Sequence, residues 1–129
     1  MNIELLRKTV AEAIALHPED DYGFERCCKI MTEILTENMT ETVDHLKNQC
    51  TDEEFFWIAS VFDDVAEKTQ SKDFVDAVRY RLAQVTRENY VTLNYPSRYS
   101  DVKDFAVSYD DYVKSVTVDL EYAEGAIKK

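Results

Sequence analysis

Residues 51–85, TDEEFFWIASVFDDVAEKTQSKDFVDAVRYRLAQV, decide how the chain must fold. Thr51 followed three positions later by Glu54 has the form of a capping box: the Thr hydroxyl accepts from the third helical amide and the Glu carboxylate reaches back to the cap amide. A helix therefore starts here. Phe55, Ile58, Ala59, Phe62, Val65 and Ala66 recur at three-and-four spacing and lay one apolar stripe along a helix face. Trp57 and Val61 form a second ridge beside it, so this helix is covered from two sides and belongs at the centre of the domain. Trp57 is expected inside or, if left on the surface, as an anchor for a partner. The period restarts after Lys68-Thr69-Gln70-Ser71 at Phe74, Ala77, Val78, Leu82 and Val85, with Ser71 as the new N-cap. So short a connection makes the two helices antiparallel neighbours.

The flanking sequence extends this pattern. Ile3, Leu6, Val10, Ala13, Ile14 and His17 share one face, which predicts a helix over about residues 2 to 16, stopped by Pro18. Residues 19–23 read as a polar connection. Phe24, Cys27, Cys28, Met31, Ile34 and Leu35 make a second stripe; Met39, Val43, Leu46 and Cys50 make a shorter third helix whose outer face carries Glu41, Asp44 and Lys47. Residues 86–100, TRENYVTLNYPSRYS, break the period. Val91, Leu93 and Tyr95 alternate like a strand, but no second strand is evident and Pro96 would confine it to an edge, so a helix end and an aromatic loop are expected. From Asp101 the helical pattern resumes at Val102, Phe105, Ala106, Tyr109, Tyr112, Val113, Val116, Leu120, Ala123 and Ile127, as one helix or as two broken near a cap at Ser108. The fold predicted is all-α: residues 1–129 as a single-domain antiparallel bundle, or a short HEAT-like array, of about six helices.

Composition narrows the function. Two glycines and two prolines in 129 residues fit long elements with few tight turns. A net charge of −11 leaves no basic stripe for nucleic acid and disfavours an anionic membrane surface, but it suits steering of a basic protein partner. The N-terminal segment interrupts its apolar residues with Glu4, Arg7, Lys8 and Glu12, unlike a secretory leader, and no stretch reaches membrane-spanning length. Cys27, Cys28 and Cys50, odd in number and two of them adjacent, do not form a disulfide framework. A reducing cytoplasm is expected.

Known chemistries find no foothold. A di-iron bundle needs Glu-x-x-His, but Ile14 and Thr42 stand three positions before His17 and His45. Glu41 and His45, four apart, read as a surface ion pair, and His17 as a helix-end histidine. The three cysteines lack zinc-ligand spacing. Phosphate loop, nucleophile elbow, zinc-protease helix and calcium loop are all missing their residues. Catalysis, a cofactor and a metal site are therefore not expected.

Two acidic features remain. Tyr90, Tyr95, Tyr99, Tyr109, Tyr112 and Tyr122 interleave with Asp101, Asp104, Asp110, Asp111, Asp119, Glu121 and Glu124 in the last third. Either this is a partner surface, with Asp104, Tyr109, Asp110, Asp111 and Tyr112 as its contact residues, or the tyrosines form a core seam under a solvated acidic exterior. Asp63, Asp64 and Glu67, with Asp73 and Asp76, make a second cluster near the hairpin turn, where charge ordinarily serves solvation.

The run from Cys50-Thr51-Asp52-Glu53-Glu54-Phe55-Phe56-Trp57-Ile58 through Phe62-Asp63-Asp64-Val65-Ala66-Glu67-Lys68-Thr69-Gln70-Ser71 and Phe74, with Asp119-Leu120-Glu121-Tyr122-Ala123-Glu124, resembles small acidic bacterial immunity-type proteins of polymorphic or contact-dependent toxin systems. The resemblance covers about a third of the chain and is one of helical framework, so no contact residue carries over from it. It implies a non-catalytic protein that binds and neutralises a cognate toxin domain, with a basic nuclease as the expected partner. A cytosolic helical scaffold or adaptor is the alternative.

Overall fold

The stretch from Thr51 is helical, as its pattern requires, but it is not one uninterrupted α-helix. In the computed structural model, which describes residues 1–128, the chain forms α1 (Ile3–Ala15), α2 (Asp21–Glu37), α3 (Met39–Asn48) and α4 (Asp52–Ile58), then a 3-10 turn (Ala59–Val61) leading directly into α5 (Phe62–Thr69). Next come α6 (Lys72–Ala83), two short strands β1 (Leu93–Tyr95) and β2 (Phe105–Val107), and α7 (Tyr109–Ala126). Counting α4, the 3-10 turn and α5 as one bent element, the fold is a single, mostly helical domain of six helices with a small hairpin.

Local chemistry sets most of the boundaries. Asn2, Asp20, Asn38, Thr51, Ser71 and Ser108 each accept a hydrogen bond from an amide in the first turn of the helix that follows. Asn38 also ends α2, so the chain turns from α2 to α3 about one residue. The segment read as a polar connection is shorter than expected, because Asp20 caps a helix that is already under way at Asp21. Gln70 makes the α5–α6 turn in the left-handed conformation, φ 52°. Its side chain is held by Glu67 O and Ala126 O, which ties the turn to the end of α7.

The core is built on α5. Phe55, Phe62 and Phe74 are fully buried, with ring centroids 5.4 Å apart for Phe55–Phe62 and 5.7 Å for Phe62–Phe74. Burying each phenyl stabilises the fold by about 1.5–3 kcal/mol, and each ring pair adds about 0.5–1.5 kcal/mol. The most extensive helix–helix contact is α5 with α7, followed by α3 with α6 and α1 with α2. The two helices of the expected hairpin touch each other less than they touch these partners. Val113 to Val118, a run of low helix propensity, stays helical because Val116 and Leu120 are buried in the core.

Two expectations need correction. Residues 93–95 do find a strand partner: β1 and β2 pair antiparallel, with Leu93 opposite Val107, Asn94 opposite Ala106 and Tyr95 opposite Phe105. Val102, Phe105 and Ala106 therefore do not extend the last helix. Their three-and-one spacing imitates a helical face, but cross-strand pairing and burial of Val107 hold Phe105 and Ala106 extended, and Val102 lies in a bend of the loop before them. Ser108 is the true helix start.

The second correction concerns Glu54. Thr51 Oγ1 accepts from its amide as the capping box requires, but the Glu54 carboxylate turns inward, where Oε1 lies 2.6 Å from His45 Nε2. His45 is 1% exposed and Glu54 4%, so His45 is no surface partner of Glu41, which instead pairs with the Met1 amino group. Arg81 of α6 donates to Cys50 O and to Asp52 Oδ1, and Tyr112 Oη of α7 donates to Asp52 O at 2.6 Å. Residues 50–54 thus tie α3, α6 and α7 to the start of α4. Glu54→Ala strands His45 in the core and should lower the unfolding free energy by about 3–5 kcal/mol. Thr51→Ala removes only the cap and should cost about 1 kcal/mol. Urea titrations of the two variants check this, and equal losses would show that the His45 contact contributes nothing.

Candidate functional site

The expected contact residues part company in the structure. Tyr112 is fully buried, its ring against Phe56 and Tyr90, and belongs to the core rather than to a partner surface. Tyr109 is half-buried: its ring meets Tyr90 on one side and the Arg87 guanidinium, 4.7 Å from its centroid, on another. Asp110 is exposed but paired with Arg87 at 2.8 Å. Asp111 is exposed, and Asp104 folds the loop after β1 by accepting from the Ser97 amide. The tyrosines of the last third thus divide. Tyr90, Tyr95 and Tyr112 spend their hydroxyls on Val107 O, Glu53 Oε2 and Asp52 O, while Tyr99 and Tyr122 are exposed.

Carboxylates instead gather across α5 and α7. Asp63, Asp64 and Glu67 lie on α5, and Asp119 of α7 comes close to Asp63 rather than Asp73 or Asp76. Burial, with the Asp63 charge nearby, pushes the Asp119 carboxyl up to about 6. Asp64 is raised as well, first by burial and then by Asp63 and Glu67. Among the described residues none of these four meets a cation, and only eight of the 26 carboxylates do. Tyr122, 66% exposed, stands one helical turn from Asp119 on the same side of α7, and Val118 beside it is exposed too. The sequence carried this signal in the spacing of Asp119 and Tyr122, but not the proximity of α5.

His45, Cys50 and Glu54 bring three possible metal-ligand atoms within 4.8 Å of one another, all buried. Sequence reading missed this set because its members lie at a helix end, a junction and a first turn. The arrangement suits a polar pair better than a cation. A separation of 2.6 Å between His45 Nε2 and Glu54 Oε1 is a hydrogen bond, Arg7 Nε sits 3.7 Å from Glu54 Oε2, and Arg81 holds the Cys50 carbonyl. The cysteines are unpaired, and burial pushes the Cys28 thiol up to about 11, which keeps it protonated at neutral pH.

A cleft of about 300 Å3 opens between the C-terminal end of α1 and the loop that joins the strands. Phe24, Trp57, Tyr95, Tyr99, Val102 and Phe105 are among its walls. Trp57 is half-buried there, and its Nε1 donates to Tyr95 Oη at 2.9 Å. The loop rests on α1 through His17, whose ring meets Tyr99 edge-on at 4.4 Å and whose Nε2 lies 3.6 Å from Asp101.

No known protein family, characterised protein or solved structure matches this chain. No helix among the described residues is long and apolar enough to cross a membrane. The acidic face makes a prediction about pH. An aspartate ordinarily titrates near ~3.9, so a folded value of about 6 means that the folded state binds the Asp119 proton more tightly than the unfolded one. This group's contribution to stability therefore grows as pH falls from 7 through 6 toward 4, and its penalty is fully present above 6. Asp119→Asn should raise the melting temperature at pH 7.5 and change it little at pH 4. Thermal melts across that range check this, and a variant that melts below the wild type throughout would show that the carboxylate is stabilising as it stands.

Proposed function

We propose that this protein is a non-catalytic, cytoplasmic inhibitor of the immunity type, which covers the basic surface of a cognate toxin domain. The observation that carries this reading is the unpaired negative charge. Asp63, Asp64, Glu67 and Asp119 crowd together at a cost in stability, with the exposed ring of Tyr122 alongside. Surface carboxylates held without counter-charge are compensated when a partner brings lysines and arginines to them, and the same field accelerates encounter. Exposed Asp111 and Asp104 extend the acidic surface to the other end of α7 and to the hairpin loop. The resemblance in helical framework to immunity-type proteins supports the same conclusion.

The test is co-purification with the toxin domain encoded beside this gene, followed by binding kinetics. Charge reversal of Asp64 and Glu67, or of Asp110 and Asp111, should slow association about tenfold at low salt, with the deficit closing as ionic strength rises. Dissociation should change less, and the variants should stay folded, since exposed charges contribute little to stability. A toxin that kills cells expressing this protein as readily as cells lacking it overturns the assignment. Binding that ignores salt retains a partner but favours an apolar scaffold contact over electrostatic capture.

A further inference from the structure

Resting on the inhibitor reading, we infer that the cleft between α1 and the strand-joining loop is the docking notch for an uncharged aromatic or branched apolar side chain that projects from the partner's basic surface. Three of the polar side chains in its walls are already committed. Trp57 Nε1 donates to Tyr95 Oη, Tyr95 Oη donates to Glu53, and His17 Nδ1 accepts from the Glu19 amide. What the walls offer an occupant is ring face and edge, from Phe24, Trp57, Tyr95, Tyr99 and Phe105. A charged group placed against these rings would be desolvated with no replacement bond from them, so the group that fills the ring-lined part of the cleft is uncharged and mainly apolar; Asp21, Arg98 and Lys103 also line it.

The surroundings of the mouth identify the source of that group. Tyr99 and Phe105 remain partly exposed, at 39% and 49%, and Tyr22, 86% exposed, follows Asp21 of the cleft wall in sequence. Apolar surface thus spills outward from the cleft, as it does where a partner covers a pocket. The two segments that frame the mouth, residues 17–21 and 96–104, carry the exposed carboxylates Glu19, Asp20, Asp21, Asp101 and Asp104 against the cations Arg98 and Lys103. An apolar side chain ringed by lysine or arginine is complementary to that frame, with the apolar centre and charged rim that anchor residues favour.

Trp57 is the only tryptophan, so its fluorescence reports on the cleft directly. The probe is p-cresol, the tyrosine side chain as a free molecule, added to the intact protein and followed by Trp57 emission and by backbone amide shifts. Saturable binding on the order of 1 mM is expected, the range open to so small a ligand. It should weaken about tenfold in Phe105→Ala, which removes an exposed wall ring, and in Ala15→Phe, which narrows the cleft; Phe105→Ala remains informative if Ala15→Phe misfolds. The toxin domain should then displace p-cresol and bind Phe105→Ala about tenfold more weakly. Absence of saturable binding, or shifts scattered away from the cleft, overturns the notch. A toxin domain that binds and is neutralised without displacing p-cresol overturns the docking assignment alone and leaves the inhibitor standing. A toxin domain that does not bind overturns both.

Discussion

The backbone between Cys50 and Asp52 imposes the constraint on which the rest of the fold depends. One helix ends just before it and another begins at Asp52, which leaves the Cys50 carbonyl without a helical partner, while the Asp52 carbonyl, in the first turn of α4, takes a further bond from outside its helix. An unpaired buried carbonyl costs about 1–3 kcal/mol. Arg81 reaches across from α6 to the first and Tyr112 from α7 to the second, while His45 and Glu54 close the junction from either side. These contacts span between 9 and 60 residues in sequence. Satisfying this short junction therefore fixes where three other helices must lie.

That geometry also explains what the sequence made legible. Helix starts are local events, so Thr51 and Ser71 could be read from their own neighbourhoods and cap as expected, while Ser108, read as one possible break, caps the true start of α7. Apolar periodicity is local too, and it placed the stripe of Phe55, Phe62 and Val65 in the core. The inward turn of Glu54 was not legible, because choosing between the cap amide and His45 requires knowing that α3 returns alongside. The hairpin failed for a related reason. Leu93 to Tyr95 showed the strand pattern, but its partner is three residues long and was hidden in a stretch that also satisfies helical spacing. As for the candidate surface, Tyr112 and Tyr122 look equivalent in sequence, yet one is buried and the other is not. Only the packing of α7 on the rest of the domain separates them: Tyr112 meets Phe56 and Tyr90, whereas Tyr122 stays outside.

The same packing creates the acidic face. α5 and α7 make the most extensive helix–helix contact of the fold, with Val65, Ala66, Val116 and Ala123 buried, and this packing sets Asp63 near Asp119. Burial disfavours the charged form of Asp119, and the neighbouring Asp63 charge disfavours it again. The apolar contact beneath is worth far more than this repulsion, so the fold tolerates it. A polar neutral residue at either position would serve the fold better, which is why the repulsion is informative: it is a feature that stability alone does not account for.

The cleft differs from the acidic face in the way its parts are held. Its inner wall, Trp57 and Tyr95, is bonded to Glu53 at the start of α4 and so shares the rigidity of the Cys50–Asp52 junction. Its outer wall, the loop between the strands, is held largely by its own short-range bonds, Ser97 to Asp104 and to Tyr99, and meets the segment after α1 at His17, which faces Tyr99 and Asp101. In the proposed complex, a rigid inner wall would fix where an incoming side chain sits, and a lightly tethered outer wall would let it in without disturbing the core. Rigid anchoring at the centre with adaptable contacts at the edge lowers the ordering cost of association while retaining selectivity. For the proposed partner, charge on the α5–α7 face and shape in the cleft would then be separable contributions, the first acting at long range on encounter and the second at contact on residence time.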